Sequence, residues 1–449
     1  MITTTETMIS LFHDFKGDAH RGIHIESVMT DTRVPGRKSL FIPIVGENFD
    51  AHSFLDKAIE QGAVAALWQK DIDLPAYVPT DFPVFFVEDT LTAMQRLANE
   101  YIRRVEPTVV AITGSNGKTT TKDMAASVLR KKFRTHYTKG NLNNHIGVPL
   151  TVFAMPENTE VLVLEMGMNR AGEIEVLSEL ARPHYGIVTN IGESHIEHLG
   201  SRENIATAKL EITAGFRESS LLIYDGDEKL LAGTKGITCG FSDYVDRKAE
   251  NILLHDEGSR FQVEGSTYDL PLVGKHNVKN AVYVLTLAEK LGMNPEEVQS
   301  GFGELTMTGM RLEKVLGLQG SHVFNDTYNA SPTSMKAVID FLKQYQAKSH
   351  KILVLGDMFE LGYHSRELHA SVAESVTPDI DAVLSIGEDS RAITEEVARR
   401  FSSVLTAHYK EKQELIEKLK SLLQEDSVVL VKASRGMKLE EVVTAITNE

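Results

Sequence analysis

The chain has 449 residues, 42% of them hydrophobic and 24% charged, with a formal net charge of -16. That length allows about three domains at ~150 residues each. The acidic balance excludes nonspecific binding to nucleic acid or to an acidic membrane surface, and local basic groups can still hold anionic ligands. The one cysteine, Cys239, excludes an internal disulfide and fits a reducing cytosol. Met1 to Phe15 lacks the basic start and apolar core of a signal peptide, and no apolar run approaches the ~20 residues that span a bilayer.

In chain order, Lys38 to Ile44 reads as a strand, Phe54 to Gln61 as a helix, and Ala63 to Trp68 and Val84 to Val87 as strands. Thr90 to Arg103 reads as a helix with Leu91, Met94, Leu97, Ala98 and Ile102 along one side, and the polar stretch Arg103 to Pro107 as a boundary. The apolar strand Val109 to Ile112 then runs into Thr113-Gly114-Ser115-Asn116-Gly117-Lys118-Thr119-Thr120 and on into a helical pattern carrying Met124, Ala125, Val128, Leu129 and Phe133. Strand, glycine loop, helix is the order in which backbone N–H groups close around a phosphate at a helix N-terminus. Lys118 is placed to reach the terminal phosphates and Thr119 to offer a hydroxyl to Mg²⁺. The general P-loop pattern asks for a glycine where Ile112 stands, so the flanking strand and helix carry the assignment.

Further on, Val161 to Leu164 is a continuous apolar run that ends at Glu165, as expected of a parallel strand covered on both faces. Tyr185 to Ile191 reads as another strand, ending in Gly192-Glu193-Ser194-His195. Glu165 and His195 thus stand at strand carboxyl ends, where open α/β sheets bind ligands. A helix is expected from Glu203 to Phe216, short alternating stretches around Phe261 to Val263, and a helix from near Asn277. From about Leu316, the strands Lys351 to Leu355, Ala382 to Ile386 and Val428 to Val431 alternate with helices Ser334 to Gln344 and Leu415 to Leu423. That alternation predicts a second parallel sheet. No GxGxxG follows its first strand, so no dinucleotide site is indicated.

Several side chains suit phosphoryl chemistry. Glu165 beside the glycine loop suits Mg²⁺ held against the β- and γ-phosphates. His195, with Glu193, Glu197 and His198 nearby, suits a metal or a substrate, although a lone loop histidine is more often structural or exposed. Lys209 projects from the stripe of Ile205, Ala208, Ile212 and Phe216. A packed stem with the amine in water and a desolvated amine fit this pattern equally, and a desolvated amine can be carbamylated by CO₂. Arg311 and Asp326 flank the junction of the second and third blocks. An arginine there can neutralise phosphate charge and an aspartate can accept from a ribose or an amine, although each alone also reads as an ordinary surface residue.

The same residues resemble the Mur ligases, the ATP-dependent amide ligases that build the peptidoglycan stem peptide, along essentially the whole chain. Thr113 to Thr120 resembles the family's short glycine loop, which also lacks the leading glycine, and Gly140-Asn141-Leu142-Asn143-Asn144 its substrate-side asparagine loop. Glu165 and His195 match its metal positions. Lys209, in Ala208-Lys209-Leu210-Glu211-Ile212, matches the lysine often carbamylated in these enzymes, with Leu210 where the family usually has glycine. His276-Asn277-Val278-Lys279-Asn280-Ala281 resembles the adenine-contacting motif, and Arg311 and Asp326 the ATP-binding pair. Thr30-Asp31-Thr32-Arg33 and Gly46-Glu47-Asn48-Phe49-Asp50 are similar to the uridine-nucleotide segment, and Lys432-Ala433-Ser434-Arg435-Gly436 to a motif that usually carries glycine in place of Ala433. Asn325-Asp326-Thr327-Tyr328-Asn329-Ala330-Ser331-Pro332 and Leu355 to Gly362 resemble the branch that adds D-alanyl-D-alanine; the Asp-Asn-Pro-Arg motif of the diaminopimelate-adding branch is absent.

The resemblance implies an α/β fold of three domains: residues 1–106 for the UDP-substrate, 107–315 with a central P-loop ATPase-like parallel sheet, and 316–449 with a Rossmann-like fold for ATP and the incoming dipeptide. It implies a cytoplasmic, monomeric enzyme that uses ATP and two Mg²⁺ ions, with Lys209 carbamylated. The substrates would be UDP-N-acetylmuramoyl-tripeptide and D-alanyl-D-alanine, joined through an acyl phosphate with release of ADP and phosphate. The implied catalytic set is Lys118, Glu165, His195, Lys209 and Arg311, with Thr119, Glu165, His195 and Lys209 on metal. Thr113 to Thr120, Asn277, Asn280, Arg311 and Asp326 would hold the nucleotide. Thr32, Arg33, Asn48, Asp50, Asn141, Asn143, Asn144, Tyr328, Asn329 and Ser331 would hold the substrates. Another Mur-type or folylpolyglutamate-type amide ligase, or a P-loop small-molecule kinase or switch, stays open as an alternative.

Overall fold

In a computed structural model that describes residues 1–46 and 49–447, three main sheets succeed one another along the chain. Glu47 and Asn48, and with Asn48 one expected substrate residue, lie outside the described residues. The first sheet has five strands in the order Phe15–Lys16, Val84–Val87, Ala63–Gln69, Ser39–Phe41, Ser27–Met29. Helix Thr90–Val105 packs Leu97, Ala98 and Tyr101 into a core shared with Leu162, Leu164, Leu177 and Leu180 of the next unit. Tyr101 donates to the Met155 carbonyl at 2.7 Å and Asn99 Nδ2 to the Leu180 carbonyl at 2.6 Å. The helix runs past the expected Arg103 to Val105, where Glu106 turns left-handed (φ 52°) ahead of Pro107 and stops it.

The central sheet has seven parallel strands in the order Thr135–Tyr137, Val161–Glu165, Thr108–Thr113, Tyr185–Val188, Leu221–Asp225, Ile237–Gly240, Arg247–Lys248. After Thr108–Thr113 the chain passes to the edge strand Thr135–Tyr137, fills the gap with Val161–Glu165, then crosses to the other side and builds outward from Tyr185–Val188. That reversal opens the ligand crevice of an open α/β sheet. A three-stranded antiparallel sheet, Glu250–His255, Gly258–Val263 and Ser266–Leu270, packs with helix Lys275–Lys290 on one face.

The third sheet has six strands in the order Glu313–Leu316, His322–Asp326, Ser427–Lys432, His350–Gly356, Ala382–Ile386, Leu405–Tyr409, parallel except for its first edge strand. The parallel strands expected in this block are all present.

Several expected elements are shorter than their apolar patterns, among them the strand expected over Lys38 to Ile44, which spans Ser39–Phe41. The strand from Tyr185 ends at Val188 rather than Ile191, because Thr189 and Asn190 turn their polar groups to the glycine loop. The helix expected over Glu203 to Phe216 spans Arg202–Leu210 and then tightens into a 3₁₀ turn at Glu211–Thr213. There the Glu211 carboxylate accepts from the N–H groups of Gly172 (2.8 Å) and Glu175 (3.3 Å) at the start of helix Glu173–Ala181. Among the described residues, no helix is long and apolar enough to cross a membrane.

Candidate active site

The glycine loop is shaped by its neighbour strand. Thr189 N–H donates to the Thr113 carbonyl (3.0 Å), Ser115 N–H to the Asn190 carbonyl (3.0 Å) and Asn116 N–H to Asn190 Oδ1 (3.0 Å). Thr189 Oγ1 and Asn190 Nδ2 both donate to the Asn116 carbonyl, at 2.5 and 2.9 Å. Two glycines are obligatory. A Cβ on Gly114 (φ 148°) would overlap Thr189 Oγ1, and one on Gly117 (φ 80°) would stand 2.9 Å from Asn280 Oδ1. Gly117 starts helix Lys118–Leu129 without a side-chain cap, so the first-turn N–H groups are left for a ligand.

Around this helix end the charges do not balance. Lys118 Nζ folds back to donate to the carbonyls of Gly114 (2.8 Å) and Ser115 (3.4 Å). Its pKa is lowered by desolvation, against the pull of Glu165 and with the push of Arg311. Lys209 is buried, 1% exposed, with no ion pair among the described residues. Desolvation, and then Lys118, push its amine well below the ordinary lysine range. Of the two readings left open for this lysine, burial is the one found. Beside Lys118 is a buried carboxylate, Glu165. Its Oε2 accepts from Thr119 Oγ1 and its Oε1 from Asn143 Nδ2, both at 2.8 Å. The Thr119 hydroxyl and Glu165 carboxylate are hard oxygen donors, which suit Mg²⁺. No group of three or more His, Cys, Asp or Glu comes together among the described residues, so an ion there would draw further ligands from phosphate and water.

Opposite stands the linker to the third sheet. Arg311 lies between two left-handed residues, Met310 (φ 61°) and Leu312 (φ 53°). Its guanidinium stacks on Tyr328, 4.2 Å from the ring centroid, and its buried Nε has no partner. Asp326 fixes this linker, accepting from Leu312 N–H (3.1 Å) and Lys432 Nζ (2.6 Å), while Lys432 also donates to the Asn329 carbonyl (2.9 Å).

Between these walls lies a cavity of about 840 Å³, within the range of ligand pockets. It gathers Ser115 to Thr120, Asn143, Glu165, His195, Asn277, Asn280, Arg311, Asp326, Tyr328 and Asn329. Thr113 and Gly114 lie beneath the loop, and Lys209 is not part of the lining. Asn277 Nδ2 donates to the Val273 carbonyl (2.9 Å) and Asn280 Nδ2 to Asn277 Oδ1 (3.3 Å), which sets the end of the cavity beside helix Lys275–Lys290. His195 (φ 66°) turns Nδ1 against the carboxylate of Glu360 from the third sheet's unit. That contact holds the Glu360 carboxyl below the usual range.

Other expected residues lie elsewhere. Asn141 and Asn144 are exposed, and Asn144 Oδ1 accepts from Ile146 and Gly147 N–H (3.2 and 2.8 Å). Ser331 caps helix Pro332–Gln344. Thr32, Arg33 and Asp50 are on the first unit: Arg33 pairs with Asp31 at 2.7 Å, and Asp50 accepts from His52 Nδ1 at 2.6 Å. Sequence reasoning did not single out Thr189, Asn190, Asp225 or Thr333, and it quoted Lys279 and Lys432 within motifs without giving either a role; all six line the cavity. Lys279 bridges Asp225 (2.8 Å) and Asp227 (2.9 Å). The signal for the first two was local, a polar pair where an apolar strand was expected to continue.

Fold and site together define an α/β protein with three main sheets in which a phosphate loop faces an arginine and a lysine of a following unit. Residues 112–288 match the model of the Mur ligase middle domain and residues 310–435 that of the Mur ligase, glutamate ligase domain. The chain is 46% identical over 425 residues to the UDP-N-acetylmuramoyl-tripeptide--D-alanyl-D-alanine ligase of Bacillus subtilis, covering 93% of this chain and 92% of that protein. The chain belongs to the Mur ligase family, as its motifs indicated. Among solved structures it is similar to MurF from Acinetobacter baumannii (TM-score 0.87, 27% identity, 98% of each chain). It is also similar to MurF ligase from Thermotoga maritima in complex with ADP (TM-score 0.83, 26% identity, 94% of this chain and 97% of that one).

Proposed function

We propose that this Mur ligase joins D-alanyl-D-alanine to UDP-N-acetylmuramoyl-tripeptide, converting ATP to ADP and phosphate, as a cytoplasmic monomer in peptidoglycan precursor synthesis. The observation that carries this reading is the uncapped helix start at Gly117 facing Arg311 across the cavity, together with the substrates named for the Bacillus subtilis relative. A free carboxylate is a poor electrophile at neutral pH, so the tripeptide carboxylate first attacks the γ-phosphorus. The bond to the β-bridging oxygen breaks, and ADP and an acyl phosphate form. The dipeptide amine then attacks the acyl carbon, and phosphate and a proton leave.

The protein's part is positioning and charge neutralisation. Within the loop Thr113 to Thr120, the backbone N–H groups of the uncapped helix start from Gly117 onward hold the phosphates, Lys118 leaves the loop carbonyls for the terminal phosphate, and Arg311 neutralises the transferring phosphoryl group. Asn277 and Asn280 take the adenine and Asp326 the ribose. Thr119, Glu165, His195 and Lys209 would hold two Mg²⁺ ions, which when bound neutralise charge on the β- and γ-phosphates. Lys209 fits this set as a carbamate: desolvation favours the neutral amine, which adds CO₂ and releases a proton to become an anion.

Residues 1–106, 107–315 and 316–449 act as three domains. Thr32, Arg33, Asn48 and Asp50 take the uridine nucleotide, Asn141, Asn143 and Asn144 the peptide arm, and Tyr328, Asn329 and Ser331 the dipeptide side. The test is purified protein with ATP, magnesium and the UDP-tripeptide, with and without D-alanyl-D-alanine. New peptide stoichiometric with ADP is expected, and ADP released without any peptide would sink the reading.

A further inference from the structure

The central unit and the third sheet's unit meet along a seam that runs from the phosphate loop past His195. Asn116 Oδ1 of the phosphate loop accepts from Ser331 Oγ (3.1 Å), and Glu193 accepts from Thr333 N–H (3.2 Å) and Oγ1 (2.6 Å). Two residues on from Glu193, His195 Nδ1 lies against Glu360 across the same seam, and Glu197 N–H donates to the Glu360 carbonyl (3.1 Å). Both His195 (φ 66°) and Glu360 (φ 62°) hold the left-handed conformation that non-glycine residues avoid. The Glu360 segment is itself fixed: Met358 N–H donates to His369 Nε2 (2.8 Å) and Phe359 N–H to Ser434 Oγ (2.8 Å).

A carboxylate that accepts from one ring nitrogen of a histidine sets the tautomer and leaves the other nitrogen as the lone-pair donor. We propose that Glu360 is a positioning residue for His195: borne by the third sheet's unit, its carboxylate lies against a buried Nδ1 that has no aligned hydrogen bond in this structure, and it takes the Nδ1–H when a divalent cation at the phosphate end of the cavity engages Nε2. The cation position at His195 is then complete only when the two units are together, so cation binding and closure are one event. This rests on the reading above of His195 as a cation ligand.

The test uses Mn²⁺, which tolerates imidazole ligands and is paramagnetic, titrated into the full chain with ADP by electron paramagnetic resonance. Wild type is compared with Glu360→Ala and Glu360→Gln, whose amide oxygen can still accept. Glu360→Ala is expected to weaken the affected Mn²⁺ site by roughly 10- to 100-fold, and Glu360→Gln to restore most of it. ¹⁵N imidazole spectra should show the Nδ1–H tautomer of His195 in wild type and a mixture in Glu360→Ala. Melting temperatures without ligands confirm that both variants fold. Equal Mn²⁺ affinity in wild type and Glu360→Ala, or no recovery in Glu360→Gln, overturns this inference alone. A wild type that binds no Mn²⁺ beside the nucleotide removes it together with the cation part of the proposed function.

Discussion

Two corners of the molecule are built alike and finished in opposite ways. In the central unit, strand Thr108–Thr113 turns into helix Lys118–Leu129; in the third, strand His322–Asp326 turns into helix Pro332–Gln344. Both present a helix N-terminus to the same cavity. At the first, Gly117 gives no side-chain cap. At the second, Ser331 and Ser334 form a reciprocal capping box, Pro332 has no N–H to offer, and Thr333 N–H goes to Glu193. An orphan N–H group is an anion site, and a satisfied one is only a helix start. A sheet corner therefore becomes a phosphate site by what its sequence withholds as much as by what it supplies.

The comparison breaks most visibly at Lys118. Lys118→Ala should lower ATP turnover by at least about 10²- to 10³-fold, measured as ADP release. It should leave the melting temperature intact, since the variant removes a desolvated ammonium. Turnover within a few-fold of wild type would move the phosphate site elsewhere. Lys209→Ala comes next, with a loss of about 10²-fold, and short carboxylates added to the assay should restore part of it if a carbamate anion is what is missing. Near-normal activity would remove Lys209 from the chemistry and leave only a buried amine.

These corners were unequally legible. The glycine loop could be read because strand, loop and helix are consecutive, and Val84–Val87 and Ala382–Ile386 appear where their β-branched and apolar runs placed them. What could not be read were the pairings that close the cavity. Lys279 meets Asp225 across 54 positions and Lys432 meets Asp326 across 106, and a single sequence carries no record of such partners. Hydrophobic periodicity also overran its elements, since it cannot see Thr189 and Asn190 leaving the strand to build the loop or Glu211 reaching helix Glu173–Ala181.

A smaller effect sharpens the contrast between the walls. His276, at the start of the central unit's helix Lys275–Lys290, is pushed down to about 4 by desolvation, with Asp326 opposing and Lys432 reinforcing from the third unit. An unfolded histidine titrates near ~6.5. Between about 4 and ~6.5 the unfolded chain therefore holds the extra proton, and stability rises with pH across that window. Acidifying from pH 7 to 5 should cost on the order of 1 kcal/mol from this group. His276→Gln should remove that share of the slope in denaturant titrations; an unchanged slope would mean that the ring is solvated when folded.

The smallest effect is the most discriminating. Ser331→Ala opens the capped corner: Ser334 N–H loses its acceptor and Asn116 Oδ1 its donor. The loss of a serine N-cap costs about 1 kcal/mol, readable as a lowered denaturation midpoint. If capping is all that keeps this corner from binding phosphate, freeing it should draw in anions and change the KM for ATP. The expected result is an unchanged KM, because Thr333 N–H stays on Glu193 and Pro332 contributes none, so a single freed N–H cannot make a nest. A tenfold rise in the KM would instead place Ser331, through Asn116, in the nucleotide site, and the two corners would have to be read as one.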